Sequence, residues 1–266
     1  MTNFVPLYRR ALGDSWRGLV GWSLGFAAAI MLYVPLYASF GATPQIQEMI
    51  ASLPPAMTKA MGFEAIGTGS GYVHSTVYGL VGLALLVIAA TSWSTAAIAG
   101  DEETGSLELT LAHGVTRTQV VLERTAALVT RLAWLVLITI GLVLALNDSA
   151  GLGLEMGNLM AEAAAFLGLA LVSATVGLAV GAATGRRAYA SAGAAGIAVL
   201  GYTLNAVGNQ SSDLEWVHSV SPYAWAYGNL PLTNGVDWTG LGLLYGASAV
   251  LVVVAVVALN RRDIAG

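Results

Sequence analysis

Charge is scarce in this chain. Asp, Glu, Lys and Arg make up 10 % of its 266 residues, against roughly 25 % in an ordinary soluble domain, which excludes a typical soluble enzyme. Cysteine is absent, so disulfides, thiolate metal sites, iron–sulfur clusters and cysteine nucleophiles are excluded together, and the redox compartment stays open. Lysine occurs once, as Lys59 in TKA. A phosphate loop needs a lysine between glycine and Ser or Thr, so the chain is no Walker-type ATPase by itself. The three histidines, His74, His113 and His218, fall on separate segments without H-E-x-x-H spacing, which argues against a hydrolytic zinc site. A net charge of −4 argues against nucleic acid as a partner.

Apolar residues, by contrast, reach 56 %, with a mean hydropathy of +0.72, and they are gathered into runs. A helix crosses about 30 Å of hydrocarbon with about 20 residues, and six stretches are long enough: 19–40, 77–99, 126–146, 163–184, 188–208 and 240–259. Five are free of charge and the third carries Arg131 near its start. Runs such as LYGASAVLVVVAVVAL are apolar all round, as lipid contact requires. The first span is too long for a signal-peptide core and contains Pro35, and it reads as a retained membrane helix. The fold class expected is therefore an all-α integral membrane protein, one transmembrane domain over residues 1–266.

Basic residues set its orientation. Arg9, Arg10 and Arg17 precede the first span, and Arg117, Arg124 and Arg131 lie between or at the second and third. Arg186 and Arg187 join the fourth to the fifth, and Arg261 and Arg262 follow the sixth. Only Lys59 falls on the other side, which places both termini in the cytoplasm. The GRRA link makes the fourth and fifth helices antiparallel neighbours. On the outside, PQIQEMIASLPPAMTKAMGF reads as two short interfacial helices around Pro54 and Pro55 or as a solvated loop. Gly67-Thr68-Gly69-Ser70-Gly71 reads as a flexible outer linker. The last outer segment, 209–239, carries Trp216, Tyr223, Trp225, Tyr227 and Trp238 and is expected to dip towards the membrane.

The spans hold little that could do chemistry. None contains a histidine or lysine base to serve an intramembrane nucleophile. Glu162, at the outer edge of the fourth, and Arg131, at the inner edge of the third, read as interfacial anchors, and Asn205 as a helix-to-helix hydrogen-bonding group. Gly-x-x-x-Gly spacing at Gly21/Gly25 and Gly177/Gly181/Gly185 carries little weight, since 32 glycines produce such pairs by chance.

One inner connection stands out: AGDEETGSLELTLAHGVTRTQVVLERTAAL. Asp101, Glu102 and Glu103 crowd its start, where positive-inside bias would not select acids, and Leu107, Leu109 and Leu111 follow with Glu108 as an apolar ridge. Closely spaced leucines facing the cytoplasm argue for a partner surface.

This segment resembles the first cytoplasmic loop of ABC-2-type transporter permeases, approximately G-E-E-x-x-G-T-L-E-x-L-L-x-x-P-x-S-R. Residues Gly100 to Leu109 follow that pattern and Val115-Thr116-Arg117 match its end, while Gly114 stands where the family commonly has proline. The N-terminal arginines, six spans, Ser221-Pro222-Tyr223-Ala224-Trp225 and the closing Arg261-Arg262-Asp263-Ile264 agree with it. Gly185-Arg186-Arg187 and the SPYAW stretch resemble actinobacterial multidrug or polyketide-antibiotic exporter permeases.

The resemblance implies an N-terminal amphipathic elbow helix and a cytoplasmic coupling helix that docks on a separate ATP-binding subunit. It implies two copies of that subunit, holding the ATP and Mg, and a second permease, identical or homologous, in the cell membrane. ATPase coupling would then fall to Glu102, Glu103, Gly105, Leu107, Glu108 and Arg117, with the leucines as docking ridge. The second and fifth helices would line the pathway, with Trp93, Tyr202 and Asn205 as residues to watch. The transported class would be a hydrophobic or amphipathic small molecule. A secondary transporter or channel, or a membrane scaffold without catalysis, are the competing readings.

Overall fold

A computed structural model describes residues 5–41, 52 and 66–263. The segment around Pro54 and Pro55, Lys59 and Ile264 lie outside the described residues. Six long helices are present, and no strand occurs among the described residues. We label them with their short companions: α1 (Pro6–Tyr33), α2 (Gly69–Glu103), α3 (Ser106–Ala112), α4 (Arg117–Asn147), α5 (Met156–Thr184), α6 (Arg187–Gly208), α7 (Pro222–Tyr227), α8 (Pro231–Asn234) and α9 (Trp238–Arg261). Five of the six spans lie on one long helix each, while the first runs past the end of α1 into a π-helical stretch, Tyr37–Gly41, and α2, α4 and α5 run well past the apolar stretch into polar ends.

Helix α5 is the hub. It packs against α2, α4, α6 and α9, and 78 % of its apolar window is buried, against 17 % for α6 and for α9. Its sequence explains the position, because Ala163, Ala170, Ala174, Gly177, Gly181 and Ala182 let neighbours close on every side. A Cβ on Gly177 would fall 2.4 Å from Ser94 Oγ and 3.0 Å from the Ala194 methyl, and one on Gly181 would touch Ala99 and Ala190. The small-residue spacing given little weight above therefore is a packing device at 177 and 181. At Gly21 and Gly25 it is not, since nothing lies within 4 Å of either.

The N-terminal amphipathic segment runs without a break into the first span, so α1 is a single helix and not an elbow followed by a span. It stops at Tyr33, just before Pro35, which has no N–H to continue the ladder. One of its opening N–H groups, that of Tyr8, is met from outside. Glu123 of α4, itself buried, accepts from the Tyr8 N–H at 2.9 Å and from Gln119 Nε2 at 2.6 Å. A carboxylate there also complements the positive end of the helix dipole.

Helix α2 includes two π-helical stretches, His74–Val81 and Ala96–Gly100. The wide turn brings the Val77 carbonyl to within 2.1 Å of where a Gly82 Cβ would sit, so glycine is required. The Gly67 to Gly71 stretch is not a linker. Thr68 accepts from the Gly71 N–H at 3.1 Å and caps the start of α2, an ordinary N-cap bond. Gly185, with φ of 66°, ends α5, and two residues later α6 begins, which makes the two helices antiparallel neighbours as the GRRA link predicts.

Candidate functional site

The charged ends of α2, α4, α6 and α9 converge at one end of the bundle, hereafter the basic end, around the short helix α3. The chain leaves α2 at Glu103, turns through Gly105 in the left-handed region (φ 73°), forms α3 and turns again through Gly114 (φ 80°). Both positions need a residue free of the Cβ penalty there. Thr116 then caps α4 by accepting from the Gln119 N–H at 3.1 Å.

Acidic residues at the end of α2 grip three other helices. Asp101 pairs with Arg124 of α4, and Glu102 with Arg262 just past α9. Glu103 accepts from the Arg187 N–H at the start of α6, at 2.9 Å. Arg117 joins α4 to the end of α9, donating to the Leu259 carbonyl at 2.8 Å and to the Arg262 carbonyl. Gly185 lies directly against the Glu102–Arg262 pair, and a Cβ there would fall 2.4 Å from atoms of both side chains. The acidic cluster thus has a structural task that composition alone did not reveal. It ties the loop to the bundle instead of standing free as a rim.

The leucine ridge is divided. Leu107 is wholly buried and Leu111 packs against the core, while Leu109 is 66 % exposed. A heptapeptide helix presents only one side outward, and here that side carries Glu108, Leu109, Ala112 and His113. Leu107 is therefore an anchor of α3 and not a docking residue. Glu108 and Leu109 remain as the outward pair.

Arg131 and Glu162 also differ from their expected roles as interfacial anchors. Arg131 is 9 % exposed, donates to the Ala11 carbonyl of α1 and lies over the Trp93 ring at 5.7 Å, so it holds helix to helix. Glu162 is fully buried. Its Oε1 lies 2.7 Å from His74 Nδ1 and its Oε2 accepts from the Leu232 N–H at 3.1 Å.

Around that carboxylate, at the end opposite α3, the segment between α6 and α9 folds back into the bundle. Ser221 donates to the Gly201 carbonyl at 2.7 Å, and Gly201 lies seven residues before the end of α6, about 10 Å along the axis. Tyr227 donates to the Tyr78 carbonyl at 3.1 Å, deep in α2. Edge-to-face rings run from His74 to Tyr227, on to Tyr223 and then to Tyr202, with centroids 4.9, 5.0 and 5.2 Å apart. Such pairs contribute roughly 0.5–1.5 kcal/mol each beyond area burial. Burial first, and then the Glu162 charge, push the Tyr227 phenol well above its ordinary pKa, so it stays protonated as a donor. Trp216 and Trp238 remain outside, 67 % and 79 % exposed.

The three residues watched as pathway positions do not come together. Trp93 sits at the basic end between Trp22 and Arg131. Tyr202 belongs to the ring stack at the other end, and the Asn205 carbonyl faces His218 Nε2 at 3.4 Å. Sequence reasoning missed the His74–Glu162 pair, although a glutamate six residues into an apolar helix was a visible signal. No group of His, Asp and Glu able to hold a metal ion occurs among the described residues.

No curated protein matches the chain. The family model described as ABC-2 family transporter protein matches residues 6–264, which takes in all six helices and the α3 loop. With six helices long and apolar enough to cross a membrane, a stapled loop and that match over nearly its whole length, the chain belongs to the ABC-2 transporter family and is a membrane permease of an ABC transporter.

Proposed function

We propose that this permease forms half of an exporter pathway in the cell membrane for a hydrophobic or amphipathic small molecule. Two copies of a separate ATP-binding subunit, carrying ATP and Mg, drive it, and a second permease, identical or homologous, completes the pathway. The α3 end faces the cytoplasm, where ten of the eleven basic residues belong by the distribution of arginine.

The observation that carries this reading is the stapling of α3. The helix offers Glu108, Leu109 and His113 outward, while Asp101, Glu102, Glu103 and Arg117 at its two flanks hold α4, α6 and α9. A push on α3 by closing ATPase subunits therefore reaches three membrane helices through contacts a few residues away. The response is a rigid-body tilt, which asks for no ionisable relay inside the spans. That distinguishes it from a carrier driven by ions, which needs a titratable or ion-coordinating group on its path. The buried Glu162 is engaged at the opposite end with His74 and the Leu232 N–H, away from the α3 contacts.

A charge exchange tests the proposal. In a complex reconstituted with its ATP-binding subunit, Glu102→Arg and Arg262→Glu are each expected to lower transport-coupled ATP hydrolysis at least fivefold. The double exchange is expected to recover most of it. Full coupling in both single variants would overturn the assignment of these staples.

A further inference from the structure

Beside α3 lies a cavity of about 440 Å³, bounded by α1, α2, α3 and α4. Its volume falls in the range of small-molecule sites, about 300–1,000 Å³. Half of its wall is apolar, from residues such as Leu7, Ala96, Leu109 and Leu128, and the rest is charged or polar. Arg131 lines it. Arg131 stands five residues past the start of the third apolar stretch, and its guanidinium reaches the Ala11 carbonyl, eight residues before the first stretch, so the group sits at the polar edge of the bundle.

Three charged side chains are buried among the described residues: Glu123, Arg131 and Glu162. Glu123 accepts two hydrogen bonds and Glu162 faces His74. Arg131, like Glu123, has no oppositely charged partner in the described ion pairs, and its guanidinium donates to a backbone carbonyl instead. The acids that line the cavity are already engaged, Asp14 with Arg10 at 3.5 Å and Asp101 with Arg124. The Nε of Arg131 and that of Arg124, both buried and on cavity-lining residues, have no acceptor. Asp14 acts on Arg131 electrostatically but is an exposed partner of Arg10; a buried charge without a direct ion pair is unfavourable, and here it adjoins open space.

We infer that this cavity binds the phosphodiester headgroup of an anionic membrane lipid, with Arg131 supplying the counter-charge and the Arg124 Nε a second donor. Guanidinium groups suit this ligand, because their donors match phosphate oxygens in pairs. The apolar half of the wall, with Leu7, Leu109 and Leu128, favours an amphiphile over free phosphate, and the Trp93 ring lies against the guanidinium. Bound there, the headgroup touches α1, α2, α3 and α4 at once and sits against the loop that the partner ATPase is proposed to push. The binding itself does not depend on that proposal.

Native mass spectrometry of the full chain, titrated with phosphatidylglycerol or with phosphatidylcholine, tests it. The wild type is expected to prefer phosphatidylglycerol at least tenfold, and Arg131→Gln to lose that preference. Because Arg131→Gln also removes the bond to Ala11, Ala96→Leu provides an independent variant. It fills the cavity from an exposed wall residue with every charge intact, and it is expected to lose the preference too. Arg17→Gln, on the exposed side of α1, is expected to keep it. An unchanged preference in Arg131→Gln or in Ala96→Leu would overturn the site. Displacement of the lipid by inorganic phosphate at equal concentration would overturn its assignment as a lipid site.

Discussion

The two ends of the bundle handle charge in opposite ways. At the basic end, ion pairs sit at half-buried positions: the side chains of Glu102 and Arg262 are 15 % and 20 % exposed, those of Asp101 and Arg124 32 % and 13 %. At the other end, Glu162 has no exposure and is enclosed by His74, the tyrosine stack and the returning segment. Partly hydrated pairs cost less to break and re-form than a fully buried one, which does not open without leaving an uncompensated group. The contrast describes a joint at one end and a clamp at the other. On the proposed mechanism, motion entering at α3 rearranges the contacts at the basic end while the opposite ends of α2, α5 and α6 stay together.

Substitutions at the clamp should be the most costly. Glu162→Ala leaves His74 and the Leu232 N–H without their acceptor in a dry interior, and should cost about 3–5 kcal/mol. A lowered unfolding temperature in detergent would register it, and Glu162→Gln, which keeps an acceptor oxygen, should recover part of the loss. A Glu162→Ala protein as stable as wild type would remove the clamp from the comparison. Next comes the packing seam between them. Gly177→Ala places a methyl group against Ser94 and Ala194 and should cost about 1–3 kcal/mol. Gly21→Ala, with open space around it, should leave the unfolding temperature of the isolated chain unchanged.

Smaller effects sharpen the comparison. Tyr227→Phe removes the bond to the Tyr78 carbonyl but keeps the ring stack, so a loss of about 1 kcal/mol is expected. At the joint, Glu102→Gln, which keeps an acceptor oxygen for Arg262, should cost less stability than Glu162→Ala while impairing coupled ATP hydrolysis. A stability loss at Glu102 as large as that at Glu162 would show that both ends are built alike.

Much of this architecture was legible because a bilayer leaves few options. A span must be long and apolar, and all six were readable, five from uncharged runs and the third from a run with one arginine. Antiparallel packing of α5 and α6 followed from a two-residue break at Gly185 and Arg186. The identity of the hub helix was harder to read, since α5 and α9 are both apolar all round. What separates them is side-chain size, the Ala and Gly faces of α5 against the valines of α9, and hydropathy is blind to that. At the site, the position of the loop was evident from its acidic start and its resemblance to a family pattern. Which leucine faces outward was not, because the direction of α3 depends on the two left-handed glycines at its ends and on what lies beneath it. Glu162 was misplaced for a related reason: counting from the end of an uncharged run assigns a charge to the interface unless a returning segment, invisible to periodicity, covers it.

The absence of cysteine makes the central claim, that α3 is the cytoplasmic face on which an ATPase docks, directly measurable. A single Leu109→Cys substitution gives one reactive thiol on the exposed side of α3, and Trp216→Cys gives one at the opposite end. In intact cells a membrane-impermeant maleimide should label position 216 and not position 109. In permeabilised cells position 109 should react readily, and its rate should fall at least fivefold when the ATP-binding subunit is co-expressed. Labelling of position 109 from outside, or at the same rate with and without that subunit, would contradict the account.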